Sequence, residues 1–229
     1  MIPVKNQENI FVLIPVLNEE ASIGPVIKDI PRDMIREVVV IDNGSSDNSR
    51  ANAAKAGATV LVEPKRGYGH ALMKGIDYLA DKSPDILLFL DGDYSDHPEE
   101  IPEVLAPILT DGVDLVIGSR ELGIHEPGAL LPQARFGNWL STRLIRLFWK
   151  YRFTDLGPFR AIRYGAFQKM KMRELTFGWT VEMQIKAAKL KLKSTEVPVR
   201  YRIRVGQSKV SGTVTGSFKA GIGILRTIF

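Results

Sequence analysis

A mostly parallel α/β sheet with helices on both faces is the architecture this sequence predicts, and three observations predict it. Short apolar runs alternate with segments whose apolar residues recur every three or four positions. The connections between them are short, and acidic or small polar residues stand at the carboxyl end of each run. Strand and helix in brief alternation imply right-handed crossovers and a sheet whose ligands collect outside the carboxyl ends of its strands. With 229 residues, 45% hydrophobic and 25% charged, the chain is long enough to bury a full core.

Ile10 to Ile14 is an apolar strand that stops at Pro15, after which Ile23, Val26, Ile27 and Ile30 fall on one helical face. Glu37 to Ile41 is the second strand and ends in Asp42; Ser46 or Asp47 then caps a helix that closes at Gly57. Thr59 to Val62 is a third strand, and Leu72, Ile76 and Leu79 stripe a third helix. Ile86 to Leu90 is too short for a free-standing helix and apolar throughout, which suits a strand buried on both faces. A helix through Ile101, Leu105 and Ile108 leads to the strand Leu115 to Ile117. This regular first stretch, 1–118, is expected to be a nucleotide-binding half.

Beyond it the repeat breaks. A Gly/Pro-containing loop over 120–132 precedes a basic, aromatic helix over 135–153, in which Trp139, Leu147, Phe148 and Tyr151 stand among Arg143, Arg146, Lys150 and Arg152. Such a helix suits an anionic membrane surface, and equally a face packed on its own domain or on a second copy of the chain. Ser194 to Ile203 is expected as a strand, and Val214, Phe218, Ile222, Leu225 and Phe229 stripe a C-terminal helix too short to span a bilayer.

The strand ends carry the chemistry. Asp91 and Asp93 are two apart on an extended backbone, so both carboxylates face one way and suit one cation, and Gly92 between them allows a ligand close approach. Pro15, Asn18 and Glu19 follow the first strand, Asp42, Ser45 and Asp47 the second, and Gly118, Ser119 and Arg120 the fifth; all meet on one rim. Singly, each group is as well explained by a turn or a helix cap; together they describe a site. The Asp42 carboxylate can accept from the imide of uracil or from N1–H and the amino group of guanine. Lys65, Arg66, Gly67 and Gly69 offer cations and exposed amides near a helix start, which suits phosphate.

A net charge of +5 and a pI near 9.4 favour an anionic partner. The absence of cysteine excludes disulfides and thiolate metal sites, and no apolar run reaches membrane-span length. With a polar start and no signal peptide, a cytoplasmic location is expected.

The segments PVLNEE, VVVIDNGSSDNS, KRGYGHAL, LFLDGDYSDHP and VIGSR, in this order and spacing, resemble the family 2 glycosyltransferases of the GT-A fold, a Rossmann-like sheet, and within them the polyprenyl-phosphate sugar transferases such as dolichol-phosphate mannosyltransferase. The resemblance covers nearly the whole chain and implies one GT-A domain over 1–229, with 119–229 a smaller, mixed acceptor-binding half. It implies that Asp42 binds the base of a nucleoside-diphosphate sugar and that Asp91 and Asp93 form a DXD motif holding Mg²⁺ or Mn²⁺ on its diphosphate, with Pro15, Asn18, Glu19, Ser45, Arg66, Gly67 and Gly92 completing the donor site. One departure is plain: where close relatives often carry a Gln ligand after the motif, this chain has Ser95.

In the second half, TDLGPFRAIR resembles the family's acceptor-side segment, where Asp155 either holds Arg160 or caps a turn. Glu182 stands where many relatives carry a catalytic acid, a general base for hydroxyl acceptors and a positioning group for an acceptor already ionised. Arg204, Ser208 and Lys209 resemble a basic lid segment and join Arg120 and Arg135 as expected ligands of an acceptor phosphate. The sequence therefore points to a metal-dependent, inverting glycosyltransferase with Asp93 and Glu182 at the reaction centre, a polyprenyl phosphate acceptor at a cytoplasmic membrane face, and no nucleic acid partner; homo-oligomers stay open. The alternatives are a hydroxyl acceptor with Glu182 as base, a sugar-phosphate nucleotidyltransferase, and a non-catalytic nucleotide-sugar binding module.

Overall fold

A computed structural model describes residues 8–176 and 178–206. Among these residues seven strands form one sheet: β1 (Ile10–Val16), β2 (Glu37–Asp42), β3 (Thr59–Val62), β4 (Ile86–Phe89), β5 (Leu115–Ser119), β6 (Arg160–Arg163) and β7 (Ser194–Pro198), in the order β3-β2-β1-β4-β6-β5-β7. All pairings are parallel except those of β6, which runs antiparallel to both β4 and β5. Among the described residues seven α-helices cover it: α1 (Ile23–Asp29), α2 (Ser49–Lys55), α3 (Tyr68–Leu79), α4 (Ile101–Asp111), α5 (Pro132–Trp149), α6 (Tyr164–Met170) and α7 (Trp179–Lys189).

Strand side chains alternate between faces, and β1 shows how the core divides. Ile10, Val12, Ile14 and Val16 pack with α1, α2 and α4, while Phe11 and Leu13 pack with α3, α5, α6 and α7. β4 is apolar at every position because both its faces are buried, as the sequence implied.

The structure corrects several expected boundaries. Pro15 lies within β1 instead of ending it. The Ile10 and Val16 carbonyls accept from Arg36 and Asn43 beside β2, whereas the Leu13 carbonyl accepts from Leu90 beside β4, so odd-numbered residues face β4. The β4 ladder ends at the Leu13 and Phe89 pair, so a proline two residues further on removes no ladder donor. β7 stops at Pro198 and not at Ile203; beyond it Tyr201 makes isolated bridges to Asp96 and His125. α5 begins at Pro132 and ends where Lys150 turns left-handed at φ 55°. The short α6 was not anticipated. Ser208, Lys209 and the expected C-terminal helix lie outside the described residues.

Candidate active site

The carboxyl ends of β1, β2 and β4 surround a cavity of about 310 Å³. Pro15 and Glu19 line it from the β1 end, Arg66 and Gly67 from the β3–α3 connection, and Asp91, Gly92 and Asp93 from the end of β4. A Cβ at position 92 would stand 2.7 Å from Val16 Cγ1, so the close approach of β1 to the β4 loop requires glycine there.

Each carboxylate has defined company. The Tyr68 hydroxyl donates to Asp91 Oδ1 at 3.1 Å. Asp93 Oδ1 accepts from the Ser95 amide and hydroxyl, at 2.9 and 2.5 Å, and Asp93 Oδ2 pairs with the Arg204 guanidinium at 3.1 Å. The Ser95 hydroxyl is thus committed to Asp93. Burial and then the charge of Asp93 push the Asp91 carboxyl up to about 7. Such a carboxylate is short of positive charge, which fits a cation site. Among the described residues no group of three or more His, Cys, Asp or Glu side chains is arranged to hold a metal ion.

The β1 and β2 side of the cavity is built from side chains that tie loops together. Asp42, fully buried, accepts from the Gly44 and Ser45 amides and pairs with Arg50 Nε at 3.3 Å; it does not line the cavity. The Asn18 amide donates to Ser45 Oγ, the Ser46 amide to Asn18 Oδ1, and the Glu19 amide to Ser49 Oγ, locking the β1 loop onto the β2 loop. Asn43, not singled out from the sequence, lines the cavity and does more: its amide group donates to the Glu63 and Lys65 carbonyls and its oxygen accepts from Gly67. Its position directly after Asp42 at a strand end was the available signal.

Glu182 is not brought to the cavity. Its carboxylate accepts from the Arg173 and Glu174 amides at 3.0 and 2.7 Å and pairs with Lys186. It braces the 171–176 segment, whose Leu175 carbonyl accepts from His70 and lies against Gly67. Gly67, at φ 146°, and Gly69 are required because that backbone occupies the space a Cβ would fill. Asp155 pairs with Arg120 and not with Arg160: Arg120 Nε and its amide reach Asp155 Oδ2 at 2.7 and 2.8 Å, and its terminal nitrogen reaches Oδ1 at 2.6 Å. Burial would raise the Asp155 carboxyl, but the Arg120 charge overrides it and holds the group below its ordinary value. The fully buried Arg160 instead donates to the carbonyls of Leu156, Gly157 and Thr180, and burial lowers it to about 10.

The family model described as glycosyl transferase family 2 matches residues 11–171. The chain belongs to this family. The glycosyltransferase is 33% identical over 222 residues to an uncharacterized glycosyltransferase of Mycobacterium tuberculosis, spanning 96% of this chain and 97% of that one. It is 29% identical over 224 residues to the undecaprenyl-phosphate mannosyltransferase of Micrococcus luteus, covering 90% and 89% of the two chains. Its fold matches the crystal structure of M. tuberculosis glucosyl-3-phosphoglycerate synthase with a TM-score of 0.74 and 25% identity, over 96% of this chain and 79% of that one. A structure of that synthase with Mn²⁺, UDP and glucosyl-3-phosphoglycerate gives the same TM-score at 22% identity. The sheet is therefore a GT-A sheet, and the nucleotidyltransferase and binding-module alternatives fall away.

In the transferase's second half, α5 departs from an ordinary amphipathic helix. It buries Asn138, Ser141, Thr142 and Ile145, while Phe136, Trp139, Leu147 and Phe148 are 62%, 52%, 70% and 50% exposed. The buried polar face clamps a neighbouring loop, since Asn138 donates to the Thr154 carbonyl and accepts from the Leu156 amide, holding the segment that carries Asp155. Arg135, at the start of α5, is exposed and borders a cleft of about 630 Å³ with Phe136, Trp139 and Thr154. No helix among the described residues is long and apolar enough to cross a membrane.

Proposed function

We propose that the transferase moves a hexose, with inversion, from a nucleoside-diphosphate sugar to a polyprenyl phosphate at a membrane surface. The observation that carries this reading is the outward aromatic face of α5, set beside the Arg135 cleft and flanked by exposed Arg143 and Arg146. Apolar rings beside guanidinium groups suit the boundary between lipid chains and anionic headgroups, and the likeness to an undecaprenyl-phosphate mannosyltransferase supports it. Leu122 and Ile124 are likewise exposed, on the loop before α5.

Donor binding is assigned to the cavity at the ends of β1, β2 and β4, with Asp91 and Asp93 as the carboxylates for Mg²⁺ or Mn²⁺; the Mn²⁺ and UDP complex of a protein with this fold supports that assignment. A divalent cation bound there would stabilise the charge that develops on the departing nucleoside diphosphate. Arg66 borders the same space and suits the phosphates, and Gly67, whose amide is taken by Asn43 Oδ1, lines it beside Arg66. Asp42 would act on the base through the loop it shapes, since its oxygens are turned to the Gly44 and Ser45 amides. A phosphate nucleophile is already ionised, so attack needs no base, and the engagement of Glu182 by backbone amides agrees with a bracing role. Two anions must then meet, and Arg120, Arg135 and Arg204 are the cations assigned to keep them together.

The likeness to glucosyl-3-phosphoglycerate synthase favours a second reading, a soluble phosphorylated hydroxy acid as acceptor. The deciding experiment offers the enzyme a set of labelled nucleoside-diphosphate sugars with Mn²⁺, and either undecaprenyl phosphate in vesicles or 3-phosphoglycerate. Label in the organic phase, lost in Asp93→Ala, is the expected result. Label confined to the water-soluble acceptor would overturn the lipid reading.

A further inference from the structure

We propose that Arg204 is the resident counter-cation of the metal site, and that it and a divalent cation exchange on Asp93. The inference rests on the assignment of Asp91 and Asp93 to the metal. The Arg204 guanidinium spans the cavity mouth, one terminal nitrogen 3.1 Å from Asp93 Oδ2 and the other 3.1 Å from Glu19 Oε1. Both carboxylates are buried, and they come from different strand ends, β4 and β1. Ser95 already takes Asp93 Oδ1, so Oδ2 is the oxygen a cation would use, and Arg204 stands on it.

This contact is not the wandering of a surface side chain. The segment after β7 is fastened along the DXD loop: the Arg202 amide donates to the Ser95 carbonyl and the Val205 amide to the Asp93 carbonyl, each at 2.9 Å. The Arg202 guanidinium lies 3.6 Å from the centre of the Tyr94 ring, pinning the segment from its other side. Arg204 is therefore delivered to Asp93 by backbone on both flanks.

A guanidinium on Oδ2 and a divalent ion on the same oxygen would be like charges at contact distance in a partly buried site, where water screens them poorly. They exclude one another. Without nucleotide, Arg204 satisfies Asp93 and a metal must displace it. When the donor's diphosphate arrives with the metal, the released fork gains an anion of its own, because Arg204 already borders the cavity. Arg204 thus opposes metal binding in the empty site and favours it in the loaded one.

The test is a Mn²⁺ titration read by electron paramagnetic resonance of the free ion, with and without UDP. Without nucleotide, Arg204→Gln is expected to bind Mn²⁺ about tenfold more tightly than wild type, a change set by removal of the repulsion. With saturating UDP the order is expected to reverse. Arg204→Lys, which keeps the charge but cannot fork across two carboxylates, is expected to shift nucleotide-free affinity in the same direction by less, and serves if the Gln variant folds poorly. Millimolar guanidinium should weaken Mn²⁺ binding to Arg204→Ala and leave wild type unchanged. Nucleotide-free affinity that does not rise in either Arg204 variant, while wild type binds Mn²⁺ with UDP, overturns the exchange alone. Absence of Mn²⁺ binding to wild type even with UDP overturns the metal assignment and the exchange with it.

Discussion

Around β1, β2 and β4 the polar groups of the rim are turned on one another. Asp42 takes the Gly44 and Ser45 amides, Asn43 ties Glu63, Lys65 and Gly67, and Asp93 holds Ser95 and Arg204. Around α5 the order is reversed: Asn138, Ser141 and Thr142 go inward, Asn138 holding the 154–156 segment, and aromatic rings go out. A surface that uses its hydrogen bonds internally is shaped before its ligand arrives, which keeps the ordering cost of binding low. A surface that leaves large apolar side chains outside is built to meet something apolar. The contrast separates a cavity whose polar lining is already hydrogen-bonded from a helix face that leaves large apolar side chains exposed.

The comparison can be broken most severely where the two regions join. Asp155→Asn leaves Arg120 buried without its counter-charge, and removal of one member of such a pair costs about 3–5 kcal/mol. Chemical denaturation should show the loss at neutral pH. Because the Asp155 carboxyl is held below its unfolded value, the pair's stabilisation is present above that unfolded value and disappears as pH falls through the folded one, so the difference between wild type and variant should shrink in acid.

Asp91 has the opposite sign. Its folded value, about 7, lies above the ordinary 3.8, so the metal-free protein is favoured by protonation and loses stability as pH rises from about 4 to about 7. In the presence of a chelator, Asp91→Asn should gain on wild type between pH 5 and pH 8 by up to about 3 kcal/mol, each pH unit below the folded value being worth about 1.4 kcal/mol. Thermal melts across that range that run parallel would show that the Asp91 carboxyl is not raised in the folded protein.

Gly69→Ala drives a methyl group against the Glu174 and Leu175 backbone and should cost about 1–3 kcal/mol, with weaker nucleotide binding, because the 171–176 segment cannot yield without releasing Glu182. The smallest effect on stability is expected from Phe136→Ser with Trp139→Ser: within about 0.5 kcal/mol for exposed positions, yet with loss of co-sedimentation with anionic vesicles. A large loss of stability with vesicle binding intact would reverse the reading of α5.

The donor rim was legible because its signals are local. A parallel α/β repeat writes each strand as a short apolar run and leaves its functional residues at the next few positions, so Asp42, Asp91 and Asp93 could be placed without long-range knowledge. β6 could not be placed that way. Its antiparallel insertion between β4 and β5 depends on pairings some 45 to 75 residues away along the chain, to which no local pattern corresponds. The partner of Arg120 was missed for the same reason, and Glu182 was expected at the reaction centre because helix position does not tell which way a carboxylate finds its amides. α5 was recognised as basic and aromatic, but which face it buries is decided by Asn138 and the segment it clamps.

The seating of β6 also bears on the mechanics of the enzyme. Its ladder to β4 spans four residue pairs and its ladder to β5 three, so a chain segment from the second half is stitched into the middle of the sheet. There is no seam along which donor and acceptor sides could hinge apart without tearing one of those ladders. Movement during turnover is therefore expected at the rim, in segments such as the one that carries Arg204, with the sheet beneath serving as a jig for the reacting groups.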